Sequence, residues 1–569
     1  MWAESWMGQS AAVPPHDSTP FFTIVNPIPM HGISKPHAFL LPLDGAPYNF
    51  AFMALNSGSI TKFSLMQCFR LCLPALIIGA VLRIGFLYAI PEGFNGADTP
   101  SYTSTAAKVW VAGEHRLHFS DKRRWLYPML MLPLPALPIS PALSIPLFQH
   151  LLGLATIFGI GWIVGNLTVL KKIWVPFVTI LFAMWPELIW FEHEALGDAL
   201  LVMSFILMAA LAMPLGSLSN RNRLFCFLMA AALVVSLKPH GRGIWLAAML
   251  VAAWQTRNPH RWGWKCWMAV ALGIFIIATS GSKRQGNWLM LNSALPLVSL
   301  DAPKWKEYRE ALRPAIEEAR DDMGQYPWQE RLFKKRLNDP NSPPSITATW
   351  TGLVGRKTEY SKVCGDLAKG AIREHPITFL KFTLTKIGIA FAHKEPIDNF
   401  EPASFWKNQT DEVLERWNGD PNSVKFFYGT DYLGFQQLFN KRHARTNPIA
   451  PLMNAVSNQI AWAHDVVDQT TGKHQLKMGW LGALALFGLL VALLPSRFSA
   501  TSVLWFPAIL CLLTVLSIGD CLGHYVIPAE WVALTLIAVG LDAVLVSGGK
   551  LVQKLFTKKG ADSRSSIPA

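Results

Sequence analysis

Residues 94–102 read FNGADTPSY and follow directly on an apolar run, LCLPALIIGAVLRIGFLYAI, at 71–90. The carboxylate of Asp98 therefore lies just where the chain leaves a lipid-compatible segment. A carboxyl group held at such a boundary is partly desolvated, which raises its pKa toward a value useful to a general base. Other ionisable residues gather at comparable positions. Arg123 and Arg124 stand in SDKRRWLYP, with Tyr127 following; Glu187, Glu192, His193, Glu194 and Asp198 stand in MWPELIWFEHEALGDAL; Lys238, His240 and Arg242 stand in SLKPHGRG; His524 and Tyr525 open GHYVIPAEW. Acidic and basic residues at several span ends on one side suggest a polar pocket there, because charged groups at membrane depth usually face a protein interior or a watery cavity. Each residue alone has a plainer reading. Asp98 could be a solvated turn residue, Glu194 a first-turn carboxylate favoured by the helix dipole, and Lys238 and Arg242 snorkelling interface cations. Likewise His524 could be a helix-end histidine, and Arg123 and Arg124 part of a solvated run.

The elements that must position these residues are membrane helices. The 569-residue chain is 51% hydrophobic and 15% charged, with a mean hydropathy of +0.28, whereas soluble domains carry about 25% charged residues. Its 23 Trp and 33 Phe suit many water–lipid boundaries. Seven scattered Cys without a CxxC pair read as packing residues. A net charge of +14 is spread in short clusters between apolar runs, so it reads as an orientation signal and not as a nucleic-acid surface.

Runs near the roughly 20 residues that a bilayer needs fall at 65–90, 141–168, 173–190, 195–215, 224–237, 243–255, 266–280, 477–495, 500–519 and 525–547. We therefore expect an all-α polytopic membrane protein with about ten spans, within a range of ten to thirteen. With the N-terminus inside, Lys171, Lys172, Arg221, Arg223, Arg257, Arg261, Lys265, Arg497 and the tail lysines lie in the cytoplasm, as the positive-inside rule requires. FNGADTPSY then faces outward. The run at 372–392 is interrupted by Lys381 and Lys386 and reads as a helix lying along the interface.

This threading divides the chain into a flexible N-terminal extension (1–64), an N-terminal transmembrane module (65–280) whose first outer loop is 91–140, an outer-face region (281–475), C-terminal transmembrane helices (476–547) and a basic cytoplasmic tail (548–569). The extension has turn-forming PP and PLDGAP segments and no charged start before a short apolar core, so it does not read as a signal peptide; Met53 or Met66 as the true start is an alternative. In the outer region, 301–335 reads as solvent-exposed helix. Trp406, Trp417, Phe426, Phe427, Tyr428 and Tyr432 could stack on sugars, but so dense a group reads better as a loop-domain core. NQT at 408–410 is a glycosylation pattern to which no role is attached.

Taken in order, GADTPSYTSTAAKVWVAG (96–113), RRWLYPMLMLP (123–133), WPELIWFEHEAL (185–196), VVSLKPHG (234–241), AIREHPITFLKFTLTKIG (371–388) and HYVIPAEWVAL (524–534) resemble the GT-C class of integral-membrane glycosyltransferases. That class includes the protein O-mannosyltransferases and the lipid A aminoarabinose transferases. The resemblance covers roughly residues 65–547 and rests on the order of the motifs relative to the spans. It implies a GT-C fold with outer-face juxtamembrane helices and Asp98, with Tyr102, in the first-loop acidic motif as candidate catalytic base. Arg124 and Tyr127–Pro128 match an RxxYP element, Glu194 an acidic residue before the fourth span, Lys238–Pro239 an Arg-Pro, and His524–Tyr525 with Pro528 a late Arg-Tyr-x-x-Pro. Two of the usual arginines are thus Lys and His, which donate to phosphate without a bidentate fork.

The implied reaction transfers a sugar from a polyprenyl-phosphate donor to an acceptor hydroxyl at the outer face, inverting the anomeric carbon. Arg123, Arg124, Lys238, Arg242 and His524 would bind the donor phosphate, with Tyr102, Tyr127, Glu194, His240 and Tyr525 supporting. The resemblance fixes no cofactor, with a divalent metal as an option, and leaves Glu194 open between sugar hydroxyls, a helper cation and that metal. Expected partners are the lipid-linked donor, a lipid, glycan or protein acceptor and membrane lipids, with no nucleic acid; the expected location is a bacterial inner (plasma) membrane with the site facing the periplasm. Two alternatives are a transporter or flippase of lipid-linked saccharides and an O-antigen-ligase-like enzyme using a diphosphate-linked donor. Transporters place sites near the midplane between related halves, whereas here ionisable residues gather at one face and no repeat is visible.

Overall fold

The computed structural model describes residues 63–93, 99–115, 117, 124–213, 220–238, 241–256, 262–279, 287, 290–291, 293–321, 357–392, 421–429, 437, 446–465, 480–516 and 526–564. Contacts divide the chain into Met1–Asn49 and Phe50–Ala569, and every described residue belongs to the second unit. Apart from Phe63 and Ser64, the N-terminal extension expected over 1–64 lies outside the described residues.

Among the described residues there are helices and no strand. In chain order they are α1 (Leu65–Ala89), α2 (Thr99–Trp110), α3 (Leu126–Met131), α4 (Pro141–Leu167), α5 (Lys171–Ala183), α6 (Pro186–His193), α7 (Gly197–Ala212), α8 (Asn220–Leu237), α9 (Gly241–Thr256) and α10 (Trp264–Thr279). There follow α11 (Lys306–Asp321), α12 (Lys357–Glu374), α13 (Pro376–Ala392), α14 (Pro421–Tyr428), α15 (Ala450–Asp465), α16 (Trp480–Ala492), α17 (Pro495–Leu516) and α18 (Ile527–Arg564).

Helix falls on each of the ten apolar runs. By length and composition, α1, α4 and residues Ile527–Lys550 of α18 can cross a membrane, and α5 with α6 make a fourth if their 49° bend lies within one crossing. The bend has a local cause: Pro186 lacks an amide proton and disfavours helical backbone in the residue before it. Gly197–Ala212 and Trp264–Thr279 are shorter apolar helices; at 16 residues each they reach about 24 Å, less than the roughly 30 Å of hydrocarbon in a bilayer.

Packing explains the sidedness of each helix. Along α1, Met66, Phe69, Leu73, Ile77, Val81, Ile84 and Tyr88 are exposed, a stripe at helical spacing that suits lipid. The opposite face buries Cys68, Cys72, Ala75, Gly79, Arg83 and Phe86, and the first four are small enough to let α4 and α5 approach closely. The described cysteines are free and mostly buried, in keeping with a packing role; Cys521 lies outside the described residues.

One large core joins α1, α4, α5, α7–α10 and α16–α18. A second core covers one end of these helices and combines Leu82, Phe86, Tyr102, Tyr127, Ile189 and Leu237 with Phe426, Phe427 and Tyr428 of α14. Those last three aromatics are therefore core, as the denser-packing reading expects; Trp406, Trp417 and Tyr432 lie outside the described residues. The expected interfacial run at 372–392 is divided at His375 between α12 and α13, and α13 packs on α17. Of the expected exposed helix at 301–335, α11 is described, with Arg313 ion-paired to Glu310 and Glu317 on its surface.

The α18 helix is tied at two heights. Near its start, Glu530 Oε2 accepts from Trp185 Nε1 at 2.9 Å, in the α5–α6 break. Twelve residues later, the Asp542 carboxylate accepts from the backbone amides of Val169 and Leu170 at 3.0 and 2.9 Å, capping the start of α5, and lies 3.8 Å from Arg497. Thus α5 and α18 run antiparallel, and Lys171, Arg497 and Asp542 mark the end of the bundle opposite to Trp185 and Glu530.

Candidate functional site

Six of the predicted site residues are described: Tyr102, Arg124, Tyr127, Glu194, Lys238 and Arg242. Asp98, Arg123, His240, His524 and Tyr525 lie outside the described residues. The described six are carried by α2, α3, the α6–α7 junction, the end of α8 and the start of α9. These segments are neighbours: α2 packs on α3, α3 on α8, α8 on both α7 and α9.

Lys238, just past the last turn of α8, donates to Asp198 Oδ2 in the first turn of α7, and both side chains are nearly buried. An acidic residue is favoured in a first helical turn by the exposed amides there. Asp198 was not singled out as a partner in the sequence, and it takes up one of the three N–H donors of Lys238. Glu194 caps the end of α6 and is buried; its backbone carbonyl accepts from Gln149 Nε2 at 2.8 Å. The next carbonyl, of Ala195, lies 3.5 Å from the hydroxyl of Thr99, the first residue of α2. The start of the first-loop helix is therefore seated against the Glu194 segment.

Tyr127 is fully buried, packs edge-on against Tyr102 at a centroid distance of 5.1 Å, and its hydroxyl has no hydrogen-bond partner among the described residues. Burial holds its phenol well above the ordinary range, and Tyr102, Glu194 and Asp198 push in the same direction. An unpaired buried hydroxyl is costly, by about 1–3 kcal/mol, so its presence beside two carboxylates asks for a function. Pro128 is tolerated next to it because the first turn of a helix has no intrahelical use for that amide.

Arg124 is also buried, with Nη1 3.3 Å from the carbonyl of Ile276 in α10. The reading of this arginine as part of a solvated run is thereby set aside. Burial lowers its pKa to about 10, and the nearby guanidinium of Arg242 adds to the effect.

A second polar cluster escaped the sequence reading. Arg83, inside α1, makes a bidentate pair with Glu192 of α6, Nε to Oε2 at 2.7 Å and Nη2 to Oε1 at 2.6 Å, and both side chains are buried. His150 Nδ1 of α4 lies 2.8 Å from Glu192 Oε2, His150 Nε2 lies 3.0 Å from His193 Nδ1, and His193 Nε2 lies 3.1 Å from the carbonyl oxygen of Glu92. Gly153 lacks the Cβ that would collide with the Glu192 carboxylate. The available signal was that Arg83 is the lone charged residue in 71–90, since an ionisable group within a membrane helix usually faces the protein interior and a partner.

Among the described residues no group of three His, Cys, Asp or Glu side chains is arranged to hold a metal ion. Comparison of the chain with known protein families, with curated proteins and with solved structures finds no match.

Proposed function

We propose that this chain is a membrane glycosyltransferase of GT-C type, with about ten crossings, that transfers a sugar from a polyprenyl-phosphate donor to an acceptor hydroxyl at the outer face of a bacterial inner membrane. The observation that carries this reading is the gathering, on neighbouring helix ends, of two arginines that repel each other, Arg124 and Arg242, and a buried Tyr127 hydroxyl that has no partner among the described residues and feels the carboxylates of Glu194 and Asp198. The arginines suit a phosphate, and the hydroxyl and carboxylates suit sugar hydroxyls. Asp98 directly precedes Thr99, whose hydroxyl faces the Ala195 carbonyl.

In this mechanism Asp98 takes the proton of the acceptor hydroxyl as its oxygen bonds to the anomeric carbon. The bond from that carbon to the phosphate oxygen breaks, its electron pair leaves with the phosphate, and configuration inverts. Arg124, Arg242, Lys238, Arg123 and His524 hold the departing phosphate; Glu194 with Tyr127 orients sugar hydroxyls. The acceptor is a lipid, glycan or protein.

The test compares wild type with Asp98→Asn in nanodiscs, measuring turnover of a panel of radiolabelled polyprenyl-phosphate sugars and donor binding in parallel. We expect the variant to bind donor and turn over at least about a hundredfold more slowly, the range for loss of a general base. Equal turnover by the two proteins removes Asp98 from the mechanism. Binding of a lipid-linked saccharide without turnover by wild type points to a transporter, and turnover only of diphosphate-linked donors to a ligase.

A further inference from the structure

The chain Glu192, His150, His193, Glu92 carbonyl contains three contacts of hydrogen-bond length, at 2.8, 3.0 and 3.1 Å. Both of its ends are acceptors, a carboxylate and a carbonyl oxygen. Between them stand two imidazoles, and two neutral imidazoles carry two protons. Three gaps cannot be filled by two protons.

The possible arrangements are few. The Glu192 carboxylate holds a proton on His150 Nδ1, so His150 Nε2 is an acceptor in the neutral ring. The single proton of neutral His193 then sits on Nδ1, filling the gap to His150 and leaving Nε2 facing the Glu92 oxygen lone pair to lone pair. Otherwise it sits on Nε2, serving Glu92 and leaving two imidazole lone pairs opposed across 3.0 Å. One additional proton fills all three gaps. It converts the pair to a shared imidazole–imidazolium, adds one positive charge, and makes His193 Nε2–H a donor to Glu92.

We infer that His150 and His193 form a buried proton-binding site in which uptake of one proton fastens the start of the first outer loop to the end of α6. The charged groups that face the pair are Arg83 from α1 and Glu192 from α6, which are joined to each other by a bidentate contact, and the backbone of Ile90 at the end of α1 also acts on His193. From α1, Phe86 covers both rings, at 4.6 Å from His193 and 6.4 Å from His150. The loop being fastened already has a reporter. Gly93 donates its amide to Ala142 at the start of α4, and a Cβ on Gly93 would sit 3.1 Å from the His193 carbonyl, so this backbone is seated tightly against both helices.

The experiment follows hydrogen exchange of the Gly93 segment in full-length protein between about pH 4.5 and 8.5, a window around the ordinary histidine value of about 6.5, corrected for intrinsic exchange. Protection should be at least about tenfold greater at the acid end in wild type. In His193→Gln, whose amide is a donor at every pH, protection should be flat. A flat wild-type profile overturns the inference, and so does an unchanged slope in the variant. As a measure independent of that variant, histidine 15N shifts of wild type should show both rings moving together as one proton binds; two rings that each keep a single neutral tautomer across the window overturn it as well.

Discussion

Two polar clusters lie in the same helical body and are built on opposite rules. Around Arg83 and Glu192 the charges are matched, with both carboxylate oxygens engaged and Gly153 cleared to make room. Around Tyr127 and Arg124 like charges are neighbours, and a buried hydroxyl has no partner among the described residues. The Arg83–Glu192 ion pair is closed upon itself and serves the fold, whereas the second cluster leaves a buried hydroxyl without a partner among the described residues, which the proposed donor would supply.

That contrast is tested most severely by Glu192→Gln, which leaves the Arg83 guanidinium buried without a counter-charge. Breaking one side of a buried pair costs about 3–5 kcal/mol, so thermal unfolding in detergent should show a large drop; stability equal to wild type would mean that this cluster is not structural. Next in size is Arg124→Gln. Loss of a charge-assisted contact to phosphate, about 1.5–3 kcal/mol, predicts donor binding weakened by roughly 10- to 150-fold, while stability moves by less than about 1 kcal/mol because relief from Arg242 offsets the lost bond to Ile276. If stability collapses and donor affinity holds, Arg124 belongs with the structural cluster. The smallest effect is expected for Tyr127→Phe. Removing a partnerless hydroxyl should leave the free protein as stable or slightly more so, and weaken donor binding by about fivefold to tenfold. A clear loss of stability would show that the hydroxyl already serves the fold.

The positions of the helices were legible because apolar runs interrupted by basic clusters report them almost directly; all ten runs hold helix, and only the α5–α6 break divides one. Helix rotation was less legible. Reading 71–90 as one apolar block hides the inward face that carries Arg83, although a lone charge in such a run carries that information. Pairings were not legible at all, since Glu192 is 109 positions from Arg83 and Asp198 is 40 from Lys238, separations that no local period encodes. For the site, sequence order picked out residues that do share neighbouring helix ends, such as Tyr102 with Tyr127 and Arg124 with Arg242. It could not show that Tyr127 lacks a partner or that Lys238 has one, because both depend on burial.

The two ties on α18 have a consequence for the surrounding bilayer. Glu530 and Asp542 are twelve residues apart, about 18 Å along a helix, and they grip the two ends of the same neighbour, α5, through Trp185 and through the amides of residues 169 and 170. Because 12 residues turn a helix through about 1200°, the two carboxylates leave α18 in directions about 120° apart, so neither sliding nor rotation preserves both ties. Helices joined in this way cannot answer a thicker or thinner membrane by tilting independently. A response to hydrophobic mismatch at this part of the bundle is therefore shared, with α5 and α18 tilting together.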